Sequence, residues 1–391
     1  MPGYIKCAII LLEVRPMIKF NEMPSVGIEE ELSYLRKALE NGKIGNNGEF
    51  TKLDQEILKE KLNAKEVLLT TNGSSALVLA AMLLGIGYGD EVIMPSFTFS
   101  TTAASVVDLG AVPVFVDIRP DTMNIDEGKI EAAITGRTKA ITVVHYAGVG
   151  CNMERVMEIA RKHNLYVIED AAQVVNARYH GQYLGTFGDI GCFSFHETKN
   201  YAMGEGGAVL INREDLIERA HIVRECGTDR IRFINGQVDK YTWVDMGTSF
   251  SPSELCAAYL YPQLLIMDEM KADRVRSFDL YNEHLSVLEG KIELPTIPEG
   301  CDHNAHMFYI KVKDIEERVR LQKFLRERGV DSAFHYIPLH SAIAGRKYGR
   351  FVGEDVYTTK ESERLLRLPM YYQLKPEQVR YICDQIIEFY K

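Results

Sequence analysis

The stretch Gly191-Cys-Phe-Ser-Phe-His-Glu-Thr-Lys-Asn-Tyr-Ala-Met-Gly-Glu-Gly-Gly207 combines a hydrophobic strand, one lysine and a glycine cluster. Residues 190–195 are typical of a buried strand, and Lys199 follows the strand end in a polar turn. A lysine in this position lies at the mouth of a sheet, where it can face a ligand. The pattern therefore predicts a ligand site around Lys199, with a surface lysine after a strand as the alternative.

A second strand end lies upstream, in Leu165-Tyr-Val-Ile-Glu-Asp-Ala-Ala-Gln173, and it delivers Asp170. A lysine amine can form a Schiff base, and an aspartate can keep a pyridine nitrogen protonated. Pyridoxal phosphate (PLP) requires both groups. Each residue alone could be an ordinary solvated side chain. Together they predict PLP as the cofactor, with Lys199 and Asp170 as the catalytic residues.

Composition limits the classes of protein to consider. The chain has 391 residues, of which 46% are hydrophobic and 26% charged, so we expect a globular protein of two domains. The net charge of −10 argues against a nucleic-acid partner. The seven cysteines are odd in number and none is in CxxC spacing, which favours reduced thiols in the cytoplasm over disulfides or a metal site.

The N-terminal 16 residues are expected to be a dispensable extension. Their apolar run, Cys7-Ala-Ile-Ile-Leu-Leu12, is shorter than a membrane span and lacks a small-residue cleavage site. We therefore expect no membrane association. The remaining chain is divided into a large PLP-binding domain over residues 17–252 and a linking long helix plus small domain over residues 253–391.

Apolar runs alternate with helical patterns through the large domain. Strands are predicted at residues 91–94, 112–116, 140–145, 166–169, 192–195 and 208–211, with helices from Ala76 and over residues 153–163. This alternation predicts a mostly parallel sheet with helices on both faces, and ligands bind such sheets at the carboxyl ends of the strands. A long helix bent at Pro262 should follow over residues 253–288. Strands at 306–312 and 332–336 and helices at 315–328 and 376–390 should build the small α/β domain.

Other residues are placed to hold the cofactor's phosphate. Gly73, Ser74 and Ser75 stand where the predicted helix begins, which offers backbone N–H groups, hydroxyls and the positive end of the helix dipole. Ser194 could add a further hydroxyl. The alternative interpretation of the Gly-Ser-Ser turn is a simple helix cap.

The ring of the cofactor needs packing on both faces. Phe97 or Phe99, preferably Phe99, could stack on one face and Ala172 could press on the other, although core packing is the alternative for the phenylalanines. Gln173 is placed to donate a hydrogen bond to the phenolic oxygen. No metal site is predicted.

Five motifs carry a specific resemblance when they are taken in order: Gly73-Ser-Ser-Ala-Leu77, Pro95-Ser-Phe-Thr-Phe99, Glu169-Asp-Ala-Ala-Gln173, Ser194-Phe-His-Glu-Thr-Lys-Asn200 and Gly204-Glu-Gly-Gly207. This set resembles the DegT/StrS family of nucleotide-sugar aminotransferases from about residue 18 to the C-terminus. The resemblance implies a fold-type I PLP transferase. A dehydratase branch of that family has histidine in place of the lysine, so Lys199 favours transamination.

Longer segments resemble one branch of the family: Val143–Gly148, Gln237–Trp243, Ala305–Ile310, Phe334–His340 and Tyr357–Pro369. The resemblance implies ping-pong transfer of an amino group from L-glutamate to C4 of dTDP-4-keto-6-deoxyglucose, which gives dTDP-4-amino-4,6-dideoxygalactose for a surface polysaccharide. The alternatives are another keto-sugar, UDP-linked or 3-keto, and a PLP-fold regulatory protein without turnover.

The family resemblance also implies a homodimer in which each active site is completed by the partner. Residues 228–250 form a cationic, aromatic segment that could line the partner's site, with Arg232, Lys240 and Tyr241 as candidate substrate contacts. Family members usually have asparagine where this chain has Ser249, and that residue reaches the partner's phosphate. His335 and Tyr336 are further candidate substrate contacts. A solvated surface loop is the alternative for this segment.

Overall fold

The computed structural model describes residues 17–391. The expectation that residues 1–16 are dispensable concerns a segment outside that range. The helices are α1 (Ile28–Glu40), α2 (Glu49–Leu62), α3 (Gly73–Leu83), α4 (Ser100–Val107), α5 (Ile130–Ala133), α6 (Met153–His163), α7 (Ile217–Arg224), α8 (Arg230–Ile234), α9 (Glu254–Leu265), α10 (Met267–Leu285), α11 (Ile315–Glu327), α12 (Ile343–Tyr348), α13 (Thr358–Arg364) and α14 (Pro376–Phe389).

The strands are β1 (Glu66–Thr70), β2 (Glu91–Pro95), β3 (Val112–Val116), β4 (Thr138–Val144), β5 (Tyr166–Asp170), β6 (Arg178–Tyr179), β7 (Gln182–Tyr183), β8 (Ile190–Ser194), β9 (Gly207–Ile211), β10 (Cys301–Asp302), β11 (Phe308–Lys311), β12 (Arg350–Phe351) and β13 (Leu365–Leu368).

The central sheet has eight strands in the order β1-β9-β8-β5-β4-β2-β3-β12. Its inner pairs are parallel, and β9 runs antiparallel to both of its neighbours. Strand residues alternate between two cores: Leu69 belongs to the core that contains α2, α6 and α9, and Leu68 to the core that contains α3 and α7. The predicted mostly parallel sheet with helices on both faces is therefore present.

A third core belongs to the C-terminal part of the chain. It joins α10, α11, α14 and the antiparallel pair β11–β13, and it includes Ile18 from the start of the described chain. Ile18 reaches it through a bridge to Val330. In return, β12 adds to the edge of the large sheet beside β3. The two parts of the chain therefore exchange short segments, and the division at residue 252 stays a prediction.

Two predicted elements differ from the structure. The helix predicted over residues 253–288 is two helices, because Ile266 leaves helical geometry between α9 and α10, four residues after Pro262. Pro262 removes one backbone donor inside α9 without ending it. The strand predicted over residues 332–336 is reduced to one bridge between Ala333 and Arg367, because the following residues turn away from β13 toward the site.

Within residues 17–391, no helix is both long and apolar enough to cross a membrane. No cluster of histidine, cysteine, aspartate or glutamate in that range is arranged to hold a metal ion.

Candidate active site

The carboxyl ends of the parallel strands open into a cavity of about 480 Å³. Its walls come from strand ends that are distant in sequence but adjacent in the sheet, including Asp170 at the end of β5 and Ser194 at the end of β8. Lys199 lines the same cavity. Parallel strands present their carboxyl ends at one edge, which explains how the sheet collects these residues.

Asp170 is buried and firmly held. Its Oδ2 accepts a hydrogen bond of 2.7 Å from the Thr102 hydroxyl, and its Oδ1 accepts one of 3.3 Å from the Ala172 N–H. Thr102 is itself within 2.8 Å of the Thr98 hydroxyl. Burial raises the pKa of Asp170, and the Thr102 hydrogen bond and the charge of Lys199 oppose that rise. The carboxylate is thus oriented and would be stabilised further by a cation.

Glu169, the residue before Asp170, points to the other side of the sheet and organises the neighbouring loop. Its carboxylate accepts hydrogen bonds of 2.7–2.8 Å from the N–H groups of Gly185, Phe187 and Gly188. It also lies 3.0 Å from His145 Nε2. Because His145 Nδ1 accepts from a backbone N–H, Nε2 must carry the proton and donate to Glu169. This arrangement fixes the strand end that carries Asp170.

Lys199 follows β8 in a tight turn, in which its N–H donates to the His196 carbonyl over 2.8 Å. Burial lowers the pKa of the Lys199 amine to about 8, with Asp170 raising it and Arg367 lowering it further. Near physiological pH, the neutral fraction of the Lys199 amine is therefore larger than that of an exposed lysine. A neutral amine is the form that can attack a carbonyl or accept a proton.

The start of α3 forms a cradle at the floor of the cavity. The Asn72 side chain caps the helix by accepting from the Ser75 N–H, and no protein acceptor within residues 17–391 binds the N–H groups of Gly73 and Ser74. A Cβ on Gly73 would lie 2.9 Å from the Ser194 Cβ, so the backbones approach closely only because residue 73 is glycine. Unpaired N–H groups at a helix N-terminus with adjacent hydroxyls suit a phosphate.

The remaining predicted ring contacts are near the same cavity. Phe99, which is 57% exposed, and Ala172 line it, whereas Phe97 is buried against Tyr146 and Tyr336. This burial explains why Phe99 is the better candidate for stacking. Gln173 also lines the cavity, and its Nε2 donates to the Tyr336 hydroxyl over 3.2 Å.

The candidate substrate contacts fall into two groups. Tyr336 lines the large cavity, and His335 lines a smaller cavity beside it. Arg232 pairs with Glu218 on the surface, and Lys240 is exposed.

Tyr241 packs on Phe233, and Ser249 is exposed next to Glu225. Neither Tyr241 nor Ser249 lines either of these two cavities. Their contact with a partner's site, like that of Arg232 and Lys240, stays a prediction.

Several site residues were not anticipated from sequence. Thr98 and Thr102 look like ordinary helix-start threonines, and His145 looks like a strand-end residue. His196 lies at the mouth of the cavity, 3.6 Å from Glu205. Arg367 is a single charge in an apolar strand, Leu365–Leu368. A lone arginine within an apolar strand pattern is the one signal that could have identified it from sequence.

The geometry of the site fits PLP. The Asp170 carboxylate, the Lys199 amine with its lowered pKa, and the phosphate cradle at the start of α3 line one cavity. Residues 26–387 match the DegT/DnrJ/EryC1/StrS aminotransferase family. The chain belongs to that family. It is a PLP-dependent sugar-nucleotide transaminase, and the predicted fold class is confirmed.

Related sequences align with nearly the whole length of this chain. The GDP-perosamine synthase of Escherichia coli O157:H7 is 32% identical, over 92% of this chain and 96% of the relative. The dTDP-3-amino-3,6-dideoxy-alpha-D-galactopyranose transaminase of Aneurinibacillus thermoaerophilus is 33% identical, over 95% of this chain and 99% of the relative. Spr1654 of Streptococcus pneumoniae, solved in its PLP form, superimposes with a TM-score of 0.86 at 25% identity, over 95% of this chain and 98% of that one.

Proposed function

We propose that this transaminase moves the amino group of L-glutamate to C4 of dTDP-4-keto-6-deoxyglucose and forms dTDP-4-amino-4,6-dideoxygalactose. The observation that carries the amino transfer is the shared cavity of Lys199, Asp170 and the α3 N-terminus. The choice of sugar is supported by the segments Phe334–His340 and Tyr357–Pro369, which match that branch of the family. The first of these segments contributes Tyr336 to the larger cavity and His335 to the smaller one.

When bound, PLP supplies an electron sink for the carbon that loses its proton. In our proposal, Lys199 would hold the cofactor, and its amine, when free, would take up and return the proton at the substrate carbon. The lowered pKa of its amine, about 8, suits both tasks. Lys199 can do this because the turn that follows β8 leaves its side chain lining the cavity.

Asp170 would hold the protonated ring nitrogen, with Thr102 and Ala172 keeping the carboxylate oriented. The free N–H groups of Gly73 and Ser74 and the hydroxyl of Ser194 would hold the phosphate. Contacts from Asp170 at one end and from Gly73, Ser74 and Ser194 at the other would hold the bound group in one orientation relative to Lys199.

Phe99 and Ala172 would pack on the two ring faces. Gln173 would orient the phenolic oxygen from its position between the Ala147 N–H and the Tyr336 hydroxyl. Tyr336 would then stand where the cofactor site meets the sugar.

We also propose a homodimer with shared sites. The segment from residue 228 to 250 exposes Trp243, Tyr241 and Met246 at 75%, 52% and 53%, and it carries Lys240 and Ser249. Exposed aromatic residues flanked by cations are typical of a surface that is covered in an assembly. On the partner, these residues would reach the phosphates of cofactor and nucleotide.

A substrate panel tests the proposed reaction. Holoenzyme is incubated with L-glutamate and 4-keto-6-deoxy sugars linked to dTDP, UDP or GDP, together with a 3-keto dTDP sugar, and the configuration of the new amine is determined by NMR. We expect the dTDP 4-keto sugar to be used best and to give the galacto product. Preference for another nucleotide, or for the 3-keto sugar, would contradict the proposed substrate. Lys199→Ala serves as the inactive control.

A further inference from the structure

A second cavity of about 170 Å³ adjoins the cofactor cavity. The two share Gln173, Thr198, Lys199 and Tyr336 as walls, so a molecule in the smaller cavity would reach the Lys199 amine. Its size suits an amino acid and is too small for a nucleotide sugar. The larger cavity is therefore left for the cofactor and the sugar.

Arg367, from β13, brings a positive charge into this smaller cavity without a carboxylate to balance it. Its Nη1 donates to His335 Nε2, and its guanidinium lies 4.3 Å from the centre of the Phe20 ring. Its Nε is buried and has no hydrogen-bond partner within residues 17–391. A partly buried guanidinium whose buried Nε lacks an acceptor is costly unless an acceptor arrives with a ligand.

The neighbouring arginine of the same segment shows the contrast. Arg364 is paired with Glu361 at 3.1 Å and also with Glu293, and no carboxylate among the described residues lies within ion-pair distance of Arg367. An arginine that only stabilised the small domain would be expected to have such a partner.

The other titratable groups of the cavity supply no negative charge. Burial, reinforced by nearby cations, lowers the pKa of His306 and of His335, so both imidazoles are neutral. His335 Nε2 accepts from Arg367, so Nδ1 carries the proton and faces the Tyr146 hydroxyl at 3.3 Å. This relay orients the guanidinium and leaves its remaining donors for a ligand.

We propose that Arg367 binds a carboxylate of the amino donor and holds the donor's amine toward Lys199. This inference rests on the proposed function for the presence of an amino-acid donor. A carboxylate has two acceptor oxygens, which matches the forked donors of a guanidinium and is a pairing that lysine cannot reproduce. His335 and Phe20 are the positioning residues of this carboxylate site.

Binding of an unreactive analogue tests the site without turnover. Calorimetry on the PLP-loaded enzyme would measure glutarate, which has the carboxylates but no amine, against glutaramide, which is uncharged. We expect glutarate alone to bind. We also expect Arg367→Gln to weaken it about tenfold or more, since a charged hydrogen bond is lost. Arg276→Gln is the matched control, because Arg276 is exposed and, within residues 17–391, forms an ion pair only with Asp273.

Measuring the glutamate and keto-sugar half-reactions separately shows which of the two depends on Arg367. In Arg367→Gln, the apparent Kd for L-glutamate should rise at least about tenfold, while enzyme preloaded with pyridoxamine phosphate should keep its rate with the keto-sugar. Arg367→Lys should retain part of the affinity, and melting temperatures check that both variants fold.

Three results for Arg367→Gln would overturn the inference. They are an unchanged affinity for glutarate, equal losses of rate in the glutamate and keto-sugar half-reactions, and a loss of rate confined to the keto-sugar half-reaction. If the wild type binds glutarate through Arg367 but converts no keto-sugar of the panel, the proposed substrate fails and the carboxylate site stands.

Discussion

At the scale of single residues, the ionisation of Lys199 is set by its surroundings. In the cofactor-free chain its pKa is lowered to about 8 from 10.5 by burial, and Asp170 opposes that shift. The amine is therefore protonated and unreactive below about pH 8 and becomes reactive above it. We expect competitive acylation, followed by peptide mass spectrometry, to show a midpoint near this value, with the other lysines as internal references.

The same measurement on Asp170→Asn tests the coupling between the two residues. Removing the carboxylate removes a charge that raises the pKa of Lys199, so the midpoint should move to lower pH. A midpoint for Lys199 near 10.5 in the wild type would contradict the lowering of its pKa by desolvation. An unchanged midpoint in the variant would show that the two groups do not interact.

Thr102 acts on the reaction through Asp170. Thr102→Val keeps the side-chain shape but removes the 2.7 Å hydrogen bond. A hydrogen bond to a charged group is worth about 1.5–3 kcal/mol, so kcat should fall about tenfold to a hundredfold. Because that bond lowers the pKa of Asp170, its loss raises the pKa, and the acid limb of the pH–rate profile should move to higher pH.

The matched control is Thr359→Val. Thr359 also donates to a carboxylate, that of Asp355 at 2.5 Å, but on the exposed surface. Wild-type kinetics in this control, together with an unshifted acid limb in Thr102→Val, would mean that Thr102 has only a structural role.

At the scale of elements, the junction of α3 with β8 determines whether a phosphate can be held. Gly73→Ala places a Cβ 2.9 Å from the Ser194 Cβ and 3.3 Å from its Cα. One backbone must move, which costs about 1–3 kcal/mol. We expect PLP affinity, measured by absorbance titration of the cofactor-free enzyme, to fall about tenfold or more at this cost.

Gly87→Ala is the control for this substitution. Gly87 lies just after the same helix, and a Cβ there meets no atom within 4 Å. If both variants lost affinity equally, the effect would come from general destabilisation and not from the cradle. Melting temperatures measured without PLP separate these possibilities.

At the scale of the whole molecule, the proposed dimer gives a test of shared sites. Lys199→Ala chains are mixed with chains that carry both Lys240→Ala and Ser249→Ala. Random pairing gives heterodimers with one intact lysine facing one intact loop, so about a quarter of wild-type activity should return. No recovery despite proven heterodimers would mean that each chain builds its own site.

Trp243 provides an independent readout, since it is the single tryptophan of the chain and is 75% exposed on one chain. Its emission should shift to the red when the assembly is diluted to single chains. An emission that does not depend on concentration would place it outside the interface.

The sequence by itself predicted six of the eight strands of the central sheet, all but β1 and β12, and the candidates Lys199, Asp170, Gly73 and Ser194. These follow from local patterns: apolar runs of strand length, a capped helix, and polar residues that come directly after strand ends. Parallel topology then brings the strand ends to one edge. Lys199 and Asp170 predicted the cofactor, the family resemblance contributed the reaction class, and the comparisons confirm both.

Only the tertiary structure decided which distant side chains meet. The Thr102 bond to Asp170 joins α4 to β5, and the Arg367–His335 pair joins β13 to the segment predicted as a strand. The break at Ile266 likewise separates α9, which packs on α1 and α2, from α10, which packs on α14. The physical reason is that burial and pairing depend on neighbours brought together by folding. The unbalanced charge of Arg367 can be recognised only when every group around it is known.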